Sequence, residues 1–348
     1  MEQHLQITQL LDQQISPAFL VEDHIITYVN AAAQRHGISL STPISELISI
    51  GDVEYAQFRE GSLCLTLNIN GEACSATALC SAHRHIFFLE SPYDDPELRA
   101  FALAAQYLRD PLSGAMHCAE AMATDNAVPQ LTHLNKSLQQ LHRAICNMSD
   151  AALYDEIRPS RMELRDITSV FQEHLEKAAQ LSQHAGRILE YRLPNTQIHT
   201  MIDSEKIERA IFNLISNAIK ATKEGDKISV TLHQAGSKLY FCVSDTGNSL
   251  ERSNIFNRYL REPGLEAGYT GLGLGLTIVR KAAAAHGGTL LLEKLPKGGA
   301  KFTMSLNVIQ PDKSGLRSHV RLPVDYAGGH DHALLELSDV LPSELYTF

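Results

Sequence analysis

Between residues 93 and 160 the apolar positions fall at alternating steps of three and four. Leu98, Phe101, Ala105, Leu108, Leu112, Ala115, Ala119 and Met122 form one series, and Leu131, Leu134, Leu138, Leu141, Ile145, Met148 and Ala152 a second. Asp125-Asn126-Ala127-Val128-Pro129 breaks the pattern between them, and Asp94-Asp95-Pro96-Glu97 supplies the acidic residues and proline of a first helical turn. The spacing predicts two heptad-patterned helices joined by a short turn, each with one apolar stripe. A second copy completing a four-helix bundle would bury both stripes, which predicts a homodimer. Heptads do not specify their partner, so packing against flanking domains of the same chain is the alternative.

On either side of this hairpin the period changes. Upstream, Phe19-Leu20-Val21 and Ile25 to Asn30 read as short strands around the turn Glu22-Asp23-His24, with a helix at Ala31-Ala32-Ala33-Gln34-Arg35. Further strands are predicted at 62–67, 73–80 and 85–89. Downstream, 164 to about 189 reads as mostly helical, and 191 to 201 as strand and loop. Ile207, Ala210, Ile211, Leu214, Ile215 and Ala218 then make one apolar helical face. Alternation at 228–232 and 239–244 around Gly236 predicts a hairpin, and 289–293 with 302–306 a second.

Opposite the apolar face of the helix over 207–218 runs a polar stripe of Arg209, Asn213, Asn217 and Lys220, at steps of four, four and three. Carboxamide oxygens in such a row can reach Mg²⁺, and the cations can reach phosphate oxygens. A solvated face explains the charges equally well, though not the two asparagines, which are poor helix formers. The strand over 239–244 runs into Asp245-Thr246-Gly247, where a carboxylate can accept a hydrogen bond from an exocyclic amine while the glycine lets a base lie against backbone. The same tripeptide is also a common turn. In Gly271-Leu272-Gly273-Leu274-Gly275 alternate glycines remove Cβ atoms just where a helix begins, which suits a polyphosphate facing a helix N-terminus; a packed Gly/Leu turn is the alternative. His286-Gly287-Gly288 follows.

Composition narrows the function classes. The chain has 348 residues, 44% hydrophobic and 20% charged, enough for two or three soluble domains. A net charge of −10 argues against a nucleic acid or an anionic membrane as the main partner. The six cysteines form no CxxC pair, so buried reduced thiols are expected. No apolar run is long enough to span a bilayer and no leader pattern opens the chain, which leads to an expectation of a cytoplasmic protein.

In order and spacing, Asn213 to Lys220, Asp245-Thr246-Gly247, Ile255 to Tyr259 and the glycine triplet with His286-Gly287-Gly288 resemble the ATP-binding domain of sensor histidine kinases. The resemblance implies an α+β multidomain chain. Residues 161–310 would form a Bergerat-type α/β sandwich that binds ATP and Mg²⁺, 93–160 the dimerising helical hairpin, 1–92 a module similar in element order to PAS sensor domains, and 311–348 a C-terminal tail. The implied nucleotide set is Asn213, Asn217, Lys220, Asp245, Gly247, Gly271, Gly273 and Gly275. Asn217 would ligate the metal, Asp245 would meet the adenine amino group, and a lid would run from about 250 to 269.

Two departures from that family pattern matter. Ser249 stands where a second glycine is usual, and Gln106 stands where the phosphoacceptor histidine is usual, ahead of Tyr107-Leu108-Arg109-Asp110-Pro111. An amide has no nucleophilic nitrogen comparable to neutral imidazole. His117 lies eleven residues on, ~16 Å along a helix axis, and reads better as a solvated outer residue. The expected function is therefore an ATP-Mg²⁺-binding, histidine-kinase-like signalling protein lacking the usual acceptor, with a response-regulator-like partner. The alternative is an active histidine kinase that uses another acceptor or a partner protein in a phosphorelay. In the tail, Leu335, Leu337, Val340 and Leu341 lie near helical spacing before Pro342, consistent with a segment that docks on the ATP-binding domain or on a partner. His319, His330 and His332 fit a solvated tail better than a metal site.

Overall fold

The computed structural model describes residues 7–9, 11–14, 16–81, 84–90, 129–157, 161–247, 274–296, 298–309 and 326–347, together with isolated positions between 104 and 122. Gln106, Tyr107, Ser249, Gly271, Gly273, His319, most of the first heptad series and the expected lid lie outside the described residues.

The N-terminal module begins with β1 (Ala18–Glu22) and β2 (Ile25–Val29), paired antiparallel through Asp23 and His24. Both turn residues have positive φ, 48° and 65°, as a tight hairpin that follows strand twist requires. Asn30 ends β2 and caps α1 (Ala31–Arg35), its Oδ1 accepting from Ala33 N at 2.8 Å and Ala18 N at 3.1 Å. The sheet continues with β3 (Ile48–Ile50), β4 (Ser62–Ile69), β5 (Glu72–Ser81) and β6 (Arg84–Glu90), and α2 (Asp52–Gln57) precedes β4. The strands expected over 62–67, 73–80 and 85–89 are present and slightly longer. β3 and α2 were not foreseen, because three residues, or one and a half turns, carry no periodic signal.

In the second half, β7 (Glu163–Asp166) pairs with β9 (His199–Ile202), so the helix expected from 164 is a strand at its start. Asp166 stops that strand and caps α4 (Ile167–His184), accepting from Thr168 N at 3.1 Å. β8 (Ile188–Arg192) follows α4, and Asp203 then caps α5 (Ser204–Ala221) by accepting from Lys206 N. β10 (Lys227–Ala235) and β11 (Lys238–Asp245) form the expected hairpin. After α6 (Gly275–Ala285), β12 (Leu290–Lys294) and β13 (Ala300–Asn307) form the second. β8 and β10 run parallel, and the other pairs of the main sheet are antiparallel. α4, α5 and α6 bury Phe171, Leu175, Ile211, Leu214, Ile215 and Val279 against one sheet face lined by Val230, Phe241 and Met304.

The two halves share a sheet, in the order β2-β1-β6-β5-β4-β12-β13-β11-β10-β8. At the junction Leu290, Leu291 and Leu292 pair with Cys64, Leu63 and Ser62. Cys64 is buried in the core of the second half, while Leu291 packs against the core of the first. A Cβ on Gly61 would sit 2.0 Å from the Leu292 carbonyl oxygen, and Lys238 Nζ holds both carboxylate oxygens of Glu54 at 2.8 and 2.7 Å. Backbone pairing and a half-buried ion pair therefore join modules whose sequences read as separate.

α3 (Pro129–Ile157) is the second heptad helix. Leu138, Ile145 and Met148 pack with Leu112 and Ala119 of the first series and with Met116, which that series did not include, while Leu134 and Leu141 remain 43% and 55% exposed. Its other side contacts the C-terminal segment, which forms α7 (His332–Glu336), a further helical turn at Ser343–Leu345 and a buried Tyr346. The helix expected to run up to Pro342 ends earlier, at Glu336 with Leu337 as its C-cap, and Pro342 instead precedes the Ser343–Leu345 turn. Among the described cysteines, Cys64, Cys146 and Cys242 are buried and Cys74 and Cys80 half-buried, none of them in a disulfide. Among the described residues no helix is long and apolar enough to cross a membrane.

Candidate nucleotide site

The polar stripe of α5, the end of β11 and the N-terminus of α6 converge. A Cβ on Gly275, the first residue of α6, would lie 2.6 Å from Asn213 Oδ1, so a larger residue there would have to displace the carboxamide. A Cβ on Gly247 would lie 2.0 Å from the carbonyl oxygen of Ala221, the last residue of α5. Gly299, in the β12–β13 turn with φ +89°, packs equally close to the Asp245 carbonyl. Glycines at three points far apart in sequence thus each face an atom of α5 or β11 at closer range than a Cβ would normally have.

Asp245 is 3% exposed, and its Oδ1 accepts from Gly247 N at 3.0 Å. Burial raises the carboxyl above its ordinary range, opposed by hydrogen bonds from the Gly247 and Ala300 backbone. A buried carboxylate with one Asx-turn bond retains acceptor capacity for a further donor, which suits an exocyclic amine.

The stripe divides by role. Asn217 is half-buried, and Lys220 is exposed but paired with Asp339 Oδ2 at 2.7 Å. Asn213 is 2% exposed; its Nδ2 donates to Arg209 O at 2.8 Å and its Oδ1 accepts from Arg143 Nη2 at 3.4 Å. Arg209, read from spacing as a phosphate donor, is fully buried and serves the fold instead. It pairs with Asp150 of α3 and with Glu336 of α7, donates to Asn147 Oδ1 at 2.6 Å, and lies over the Tyr326 ring. The helical step placed it on the stripe, but only tertiary packing brings acids to meet it.

His286-Gly287-Gly288 lies at the opposite end of α6 from Gly275. His286 Nε2 accepts from Asp203 N at 3.0 Å, and Nδ1 donates to Ala282 O at 2.7 Å. Burial lowers its pKa, and this pair of bonds requires the neutral ring with the proton on Nδ1. Gly287, φ +67°, ends the helix, and a Cβ on Gly288 would strike Ser305 O. The motif is a structural joint between α6, β13 and the cap of α5.

Sequence reasoning missed Arg143, Glu336 and Asp339, which close over the stripe from α3 and the tail. No local pattern could reveal them, since their partners lie 70 to 196 residues away. His332 pairs with Glu208 at 2.9 Å, and among the described residues no cluster of three or more His, Cys, Asp or Glu is arranged to hold a metal.

Residues 202–310 match the family described as histidine kinase-, DNA gyrase B-, and HSP90-like ATPase. The chain is 27% identical over 223 residues to the adaptive-response sensory kinase SasA of Microcystis aeruginosa, covering 60% of this chain and 58% of the relative. It is 28% identical over 224 residues to histidine protein kinase DivJ of Caulobacter vibrioides, covering 61% and 37%. The chain thus spans about half the length of these relatives. Among solved structures, full-length ShkA in complex with AMPPNP superposes with a TM-score of 0.51 at 22% identity, over 61% of this chain and 46% of that one, a likeness of fold.

Proposed function

We propose, from the premise that this chain belongs to the histidine kinase family through an ATPase domain at residues 202–310, that it is a signalling protein that binds ATP·Mg²⁺ without forming phosphohistidine at the usual place. The observation that carries the nucleotide reading is the convergence of Asn213, Gly275, Gly247 and buried Asp245 on one surface. Asp245 would accept a hydrogen bond from the adenine amino group, and Gly247 would let the ring lie against backbone. The α6 N-terminus would offer unpaired N–H groups to phosphates. Asn217, whose carboxamide oxygen is a hard ligand, fits Mg²⁺, and Lys220 fits the phosphate chain. The metal would supply charge neutralisation of the phosphates; positioning is left to these side chains.

Gln106 carries the second half of the proposal, since it lacks an imidazole to accept the phosphoryl group. The exposed Leu134 and Leu141 on α3 support a homodimer that buries this stripe, and the likeness to sensory kinases supports a response-regulator-like partner. The strand order β2-β1-β6-β5-β4 supports a PAS-like N-terminal module. Incubation with γ-labelled ATP tests the reading. The expected result is nucleotide binding by calorimetry with no acid-labile, base-stable label. Such a label, lost in His117→Ala, would return the chain to the active kinases.

A further inference from the structure

The α5 stripe is already engaged by acids from the far end of the chain. Glu336, side chain 1% exposed, bridges Arg209 Nε at 2.9 Å and Arg143 Nε at 3.2 Å. Asp339 Oδ2 accepts from Arg143 Nη1 at 2.9 Å and from Lys220 Nζ at 2.7 Å. With Asp150 on Arg209, three cations are balanced by three carboxylates. Lys220, assigned above to the phosphate chain, is therefore neutralised by the tail.

We propose that the C-terminal segment 331–347 is an internal anionic occupant of the phosphate side of the nucleotide site and competes with ATP for Lys220 and Arg143. The proposal rests on the nucleotide reading above. Its two acids have different placements. Glu336 is deep and anchors the segment, helped by Asn135 donating to Tyr346 O at 3.2 Å and Gln140 to Ser338 O at 3.1 Å. Asp339 is at the rim, 15% exposed, shared between a hairpin cation and a site cation. A phosphate reaching Lys220 would meet Asp339 as a like charge, so nucleotide binds best when the rim is open. The apparent dissociation constant is then the intrinsic one divided by the open fraction. A five-residue helix such as α7 has no stability of its own, so its position follows these contacts. Because Arg143 belongs to the hairpin, displacement of Asp339 would also release a contact between hairpin and ATPase domain.

The test uses the full chain, ATP·Mg²⁺ and calorimetry. Asp339→Asn should tighten binding by about two- to fivefold, the range of a partly exposed ion pair. In a Lys220→Gln background the same substitution should give no gain. In the unmutated protein, saturating ATP should lower amide-exchange protection over 331–347. Unchanged or weaker binding in Asp339→Asn, or unchanged protection, would overturn the proposal while leaving nucleotide binding intact. If neither protein binds ATP at millimolar concentration, the nucleotide reading itself falls, and the competition with it.

Discussion

Replacing Glu336 by Gln removes one charge from a buried network without changing its volume. Glu336 and Arg209 side chains are each 1% exposed and Arg143 5%, so none recovers hydration when its partner is lost. One carboxamide oxygen can still accept from one guanidinium, but the amide NH₂ then faces the other, donor against donor. Arg209 keeps Asp150 and Asn147, and Arg143 keeps Asp339, which places the cost at the lower end of the 3–5 kcal/mol range for breaking a buried pair, about 3 kcal/mol. For a cooperative unit of 150–250 residues this lowers Tm by about 6–12 °C. Scanning calorimetry reads the shift, and limited proteolysis should show the C-terminal segment cleaved first. Salt should change the effect little, because buried charges are poorly screened. Lys227→Gln, which breaks the 61%-exposed pair with Glu190, is the control and should leave Tm essentially unchanged. A Glu336→Gln shift no larger than this control, with the tail still protected, would refute the claim that this network holds the segment.

Asp245→Asn should abolish adenine-nucleotide binding yet stabilise the apo protein at neutral pH. The folded carboxyl is raised, so its ionisation opposes folding above the unfolded carboxylate range; the gain should vanish as pH falls into that range, in urea titrations at several pH values. His286 is the opposite case: its folded pKa is lowered, so stability is lost as pH falls below about 6.5, the unfolded imidazole value, and His286→Gln should flatten that part of the profile. Gly61→Ala, with φ +90° and a Cβ 2.0 Å from Leu292 O, should destabilise by about 1–3 kcal/mol and loosen the β4–β12 junction, visible as faster amide exchange at 290–292. Leu141→Glu, on the exposed stripe of α3, should convert a dimer to a monomer in light scattering with Tm nearly unchanged; a persisting dimer would move the interface elsewhere.

Elements with a strong local period were legible in advance. The β10–β11 and β12–β13 hairpins, the apolar face of α5 and the heptads of α3 follow from alternation at two or at three and four, because one face of each is buried. The residues proposed to hold the nucleotide stood out for a different reason. Asn, Asp and Gly occupy positions where helix propensity or side-chain packing alone would prefer something else, so their presence points to a contact. Gly247 and Gly275 meet that expectation, each facing another backbone or side chain too closely for a Cβ. Gln106 likewise stands out by type alone, although it lies outside the described residues.

What only the tertiary structure decided are the pairings between distant segments. Arg209 looked like a ligand because a helical step cannot show which charges lie opposite; Asp150 and Glu336, 59 residues before and 127 after it, make it a buried anchor. His286-Gly287-Gly288 looked like part of the glycine loop by proximity in sequence, but an eleven-residue helix separates the two, and the imidazole meets Asp203 instead. The strand pairing of Cys64 with Leu290 unites two modules that composition and pattern divide, since an edge strand carries no mark of which other edge will cover it. Periodicity reports which face of an element is buried; which element buries it depends on loop closure and charge complementarity across the whole chain.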